Sequence, residues 1–65
     1  MKPSWKDAPD WAVWLAQDED GLWWWHQQKP WPGYWRNFWA SLGLVKAQAL
    51  GQINPDWRET LEERP

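Results

Sequence analysis

Ten tryptophans and no cysteine stand in a chain of 65 residues, and that pairing constrains the fold more than any other feature. A domain this small buries only about 60% of the surface its unfolded chain exposes, so it needs an added source of stability. Disulfides are excluded without cysteine. A structural zinc site lacks ligands, because His26 is the only histidine. What remains is aromatic burial, and ten indoles at ~150–250 Å² each offer roughly 1,500–2,500 Å² of it. The same rings carry a cost, since every buried indole N–H needs an acceptor. So small a domain is not expected to supply all of them, which predicts roughly two to four tryptophans partly exposed or covered by another chain.

The net charge of −2 does not fit a dedicated duplex-DNA binder, which usually reads basic. Its distribution is uneven. Residues 22–53 carry Lys29, Arg36 and Lys46 and no acid, while both flanking segments are acidic. The aromatic middle is therefore the electropositive part. Met1-Lys2-Pro3 leads into polar residues, so no signal peptide is read. The central apolar run Leu22-Trp23-Trp24-Trp25 is far too short to span a membrane. With no cysteine, these features place the chain in a reducing cytoplasm as an expectation.

Residues 1–6 read as a flexible arm and residues 7–65 as a single small domain. A turn is expected at 8–11 and a strand at about 12–17. Asp18-Glu19-Asp20-Gly21 then puts Asp at a turn start and Gly where a positive φ is required. Leu22 to Gln28 is a second strand, so 12–17 and 22–28 form a hairpin. In that strand Trp23 and Trp25 face one side, and Leu22, Trp24 and His26 the other. Neither face can simply be solvated. One packs on the domain's own core, and the other meets the C-terminal segment or a partner. Pro30 and Pro32 with Gly33 break the pattern. Tyr34 to Trp39 reads as a third strand, although Trp35, Trp39 and Leu42 also fit helical spacing. Residues 44–50 read as a fourth short strand or a helical turn. At the end, Asn54 suits an N-cap, Pro55 the first helical position and Asp56 the first turn. Trp57 and Leu61, four apart, would dock that helix on the sheet. The fold expected is mainly β: a small antiparallel three- or four-stranded meander with a short C-terminal helix.

Two stretches carry a resemblance. Ala8-Pro9-Asp10-Trp11-Ala12-Val13-Trp14-Leu15-Ala16-Gln17-Asp18-Glu19-Asp20-Gly21-Leu22-Trp23-Trp24-Trp25 is similar to a block in small Trp-rich proteins encoded by tailed phages and prophages. Asn54-Pro55-Asp56-Trp57-Arg58-Glu59-Thr60-Leu61-Glu62 resembles their ending. The segment from Trp31 to Leu50 is longer and more aromatic than that pattern. The family has no agreed chemistry. The resemblance therefore implies an origin and a compartment, a phage accessory protein in the bacterial cytoplasm, and no mechanism.

Function follows from the surplus rings. Core burial accounts for most of them. The remainder forms a contact patch, for which Trp23, Trp25, Trp31, Tyr34, Trp35 and Trp39 are the candidates. Tryptophan suits interface hot spots because it covers much area with few rotors. A protein of the host or phage is the expected partner, inhibited or modulated by binding. A symmetric homodimer would also hide surplus indoles. The alternative is a single-stranded nucleic-acid-binding module using 22–53, with Lys29, Arg36 and Lys46 on phosphates and the rings on bases. Sugar stacking is a weaker reading, from a faint similarity of Trp24-Trp25, Pro30 and Trp35 to chitin-binding modules. Asp18-Glu19-Asp20-Gly21 lacks the spaced ligands of a calcium loop and reads as a solvated turn. Nothing in the sequence positions Ser4, Ser41 or Thr60 beside His26 as a nucleophile. The expectation is a non-enzymatic protein with no metal and no cofactor.

Overall fold

The computed structural model describes residues 2–65. Its centre is a four-stranded antiparallel sheet. β1 (Trp14–Gln17) and β2 (Leu22–His26) form the hairpin, β5 (Val45–Leu50) lies outside β2, and β6 (Glu62–Glu63) lies outside β1. Between β2 and β5 the chain leaves the sheet. There β3 (Trp31–Pro32) and β4 (Trp39–Ala40) form a small ladder of their own. The order β5-β2-β1-β6 is therefore not a simple meander. Three successive antiparallel strands are followed by one that returns beside the first, which is Greek-key order.

The turn chemistry explains the hairpin. Gly21 has φ +95° and donates its N–H to the Asp18 carbonyl. A side chain there would also collide with the Gly51 carbonyl. Leu15 pairs with Trp25 and Ala16 with Trp24, so side chains alternate between the two faces as the period of two requires. On one face Ala12, Leu15, Trp23 and Trp25 form a buried cluster, with Trp5 and Trp11 packed against it. On the other face Ala16, Trp39 and Trp57 form a second cluster, with Leu61 against it. Both faces of β2 are covered, and the C-terminal segment supplies part of the second cover.

The C-terminal helix is not formed. Trp57–Glu59 makes a single 3-10 turn and the chain then extends into β6. Two interactions replace the helix. The Thr60 hydroxyl donates to the Trp57 carbonyl at 2.7 Å and accepts from the Gln17 backbone N–H at 2.9 Å, which anchors the turn to β1. The outer edge of β1 then takes β6 as its partner, with Arg64 N–H on the Val13 carbonyl. A helix this short has little stability of its own, whereas an open strand edge offers ready hydrogen bonds. The docking of Trp57 and Leu61 on the sheet is nevertheless retained. Asn54 caps no helix; its Oδ1 accepts from Asp56 N–H and its Nδ2 donates to Gln17.

Two further expectations change, and one open alternative is resolved. The third strand over 34–39 is absent: residues 34–38 form a bent loop and only Trp39 begins a strand. Residues 45–50 resolve as a strand rather than a helical turn. Of the arm expected over residues 1–6, Met1 lies outside the described residues, and residues 2–6 pack on the domain. Trp5 packs 4.8 Å from Trp25, ring centre to ring centre, its indole donates to Glu62 at 2.6 Å, and Lys2 pairs with the same carboxylate. Those two contacts hold the Glu62 carboxyl below its ordinary range.

Candidate functional site

The predicted patch divides. Trp23, Trp25 and Trp39 are buried core residues, not surface. Their indoles show why. Trp25 donates to the Gln48 side chain at 3.0 Å, and Trp39 donates to the Gln17 carbonyl at 3.0 Å. Gln48 is free for this because the β2–β5 register shifts there, leaving it unpaired in a bulge. Trp31, Tyr34 and Trp35 lie outside. Tyr34 is 94% and Trp35 96% exposed. Two of the ten tryptophans, Trp31 and Trp35, are exposed, and four more, Trp5, Trp11, Trp14 and Trp24, are half-buried, so six keep some solvent contact, more than the two to four expected.

The loop presenting these rings is built at its base. Gly33 N–H donates to the Phe38 carbonyl, and a Cβ on Gly33 would approach the Arg36 and Phe38 carbonyls at 3.0 and 3.1 Å. Asn37 is held to Glu19 through both main chain and side chain. Trp39 anchors the far end, with its N–H on the Asp18 carboxylate at 2.8 Å and its ring edge-on to Trp57 at 5.6 Å. The tip, Tyr34-Trp35-Arg36, has no such ties, and its rings stand in solvent.

The basic trio does not follow the patch as a unit. Lys29 lies 5.3 Å over the Trp14 ring, Arg36 lies 5.8 Å from Phe38, and Lys46 sits on β5 opposite Trp25. The depression beside Trp31, Pro32 and Tyr34 takes its cation from Arg58 instead, whose guanidinium also lies 4.6 Å over the Trp57 ring. Arg58 stands 27 residues beyond Trp31, so no local pattern predicts this contact.

A second feature lies behind the same loop. A cavity of about 350 Å³ is walled by Trp24, His26, Phe38, Trp39 and Val45, with Asp18 at its edge. Burial, reinforced by the nearby Asp20 charge, raises the Asp18 carboxyl to about 6 despite the Trp39 N–H bond. Burial also lowers His26 to about 4, so the ring is neutral at pH 7. His26 Nδ1 lies 2.8 Å from Ser41 Oγ, a pairing that no local pattern predicts. It is a poor nucleophile–base pair. A base with so low a pKa takes up protons weakly at neutral pH, and no third group holds the other ring nitrogen. Trp24 Nε1 and His26 Nε2 are both buried without a partner; the indole faces the Asp18 carboxylate but makes no hydrogen bond of good geometry to it.

Among the described residues, no three His, Asp or Glu side chains converge as metal ligands would. Among the same residues no helix is long and apolar enough to cross a membrane. Comparison with protein-family models, curated proteins and solved structures finds no match for this chain.

Proposed function

We propose that the chain is a non-enzymatic binding protein that grips a protein partner through the loop tip around Trp31, Tyr34 and Trp35. The observation carrying this reading is the near-complete exposure of Tyr34 and Trp35, greater than that of any other aromatic among the described residues. Two large rings held in water on a loop with a fixed base can anchor a partner, and such residues dominate interface energies. Arg36 and Arg58 border them and can pair with a carboxylate on the partner. The resemblance to small Trp-rich phage proteins sets the context: a phage or prophage accessory protein in the bacterial cytoplasm, inhibiting or modulating a host or phage protein.

The test compares wild type with Trp35→Ala for capture of proteins from a bacterial lysate and for quenching by mixed-sequence single-stranded DNA. A protein retained by wild type and lost with Trp35→Ala, at an unchanged far-UV spectrum, supports the reading. Saturable quenching by DNA that weakens steeply with salt would replace it with the nucleic-acid one.

A further inference from the structure

We propose that the cavity behind the loop is a receptor for an organic cation, a guanidinium or primary ammonium that donates to Asp18 and His26 across the aromatic walls. This site is separate from the loop tip and does not depend on it.

Four observations converge. First, the walls are largely aromatic and apolar, with Trp24, Phe38 and Trp39 among them, and aromatic rings attract cations. Second, Asp18 is 9% exposed and takes one backbone N–H, with no basic side chain bonded to it. A carboxylate buried in that way lacks the counter-charge it would need to ionise readily. Third, His26 is 3% exposed and its Nε2 has no partner. The tautomer that donates Nδ1–H to Ser41 Oγ leaves Nε2 as an acceptor on the cavity wall. Fourth, the neighbouring depression shares Asp18, Trp24 and Phe38 and adds Glu19 and Asp20 at its rim. The approach is therefore acidic, which favours a cation and opposes a phosphate. The volume, about 350 Å³, accommodates one long basic side chain or a small amine. A neutral heteroaromatic could stack there, but it would leave the charge of Asp18 unpaired.

Titration of the ¹⁵N-labelled full chain reads the site directly through the Trp24 indole N–H resonance. Agmatine and N-acetyl-arginine amide are expected to shift it saturably. N-acetyl-citrulline amide, the uncharged isostere, is expected to bind about ten-fold more weakly or less, because the charge is what Asp18 recognises. Binding by both cations points to a free amine, and binding by the capped arginine alone to a side chain of a partner protein. Asp18→Asn keeps the acceptor for Trp39 N–H and is expected to abolish the distinction between arginine and citrulline. Val45→Trp fills the cavity from exposed β5 and provides a second loss-of-binding variant should Asp18→Asn unfold. The proposal is overturned if citrulline or guanosine binds as well as arginine. It is equally overturned if no cation produces a saturable shift at concentrations on the order of 50 mM, beyond which a site is of no practical affinity.

Discussion

Two tryptophan-rich segments of this chain meet opposite fates. Trp23-Trp24-Trp25 lies in the second strand of the central sheet, whereas Trp31, Tyr34 and Trp35 lie in the excursion between β2 and β5. In the first segment two of the three rings are buried, and Trp25 is wholly inaccessible. In the second all three are exposed. The two segments differ little in hydrophobicity. They differ in backbone partners: β2 is hydrogen-bonded on both sides, by β1 and β5, and Trp5 packs on the face that carries Trp23 and Trp25. The 34–38 loop pairs with nothing at its tip. Aromatic content therefore supplies the material for a core, and strand pairing decides which rings enter it.

The widest gap should appear between alanine substitutions in the two segments. Trp25→Ala or Trp57→Ala removes a fully buried ring, and each is expected to cost about 3–5 kcal/mol in urea unfolding. Trp35→Ala and Tyr34→Ala should stay within about 0.5 kcal/mol of wild type. Comparable losses in both segments would end the distinction.

A smaller effect tests what fastens the hairpin turn and the 52–54 segment to the sheet. The buried Gln17 side chain donates to the Gly21 and Gln52 carbonyls and accepts from Asn54. Gln17→Leu removes all three bonds at similar volume and should destabilise by about 2–3 kcal/mol. An unchanged midpoint would mean that the bonds contribute nothing net.

The smallest effect is a dependence on pH that wild type should largely conceal. Asp18 is raised from 3.8 to about 6, so folding disfavours its ionised form and stability rises as pH falls through that window. His26 is lowered from 6.5 to about 4, so the unfolded chain takes the proton first and stability falls as pH drops from 6.5 toward 4. The two oppose each other over nearly the same range. Asp18→Asn should therefore expose a stability that declines on acidification, and His26→Phe one that increases. Denaturation midpoints between pH 4 and 7 check both signs; identical profiles in the two variants would contradict the assignment.

The legible part of the fold was local. Asp18 and Gly21 fix a turn by their own chemistry, and alternation around it gives the hairpin. The C-terminus misled because Asn54-Pro55-Asp56 is equally good chemistry for an Asx turn and a helix start. What chose between them was the open edge of β1, which no local pattern reveals. The site was half legible for the same reason. Composition showed that some rings must be surplus. Alternation could not tell that Trp39 crosses onto the far face of the sheet while Trp35, four residues earlier, does not. Gln17 left a signal that could have been used, a polar residue at the inner end of an apolar strand with the turn beside it. The meeting of Ser41 with His26 left none, because fifteen residues and a second ladder separate them.

Hydrogen exchange at the indole N–H groups tests the central claim most directly, because one spectrum reports all ten rings. Trp25 and Trp39, buried and bonded to Gln48 and the Gln17 carbonyl, should exchange only on global unfolding. Trp31 and Trp35 should exchange at once. Protection of Trp35, or rapid exchange at Trp25, would contradict the division of these tryptophans into a core and a displayed surface.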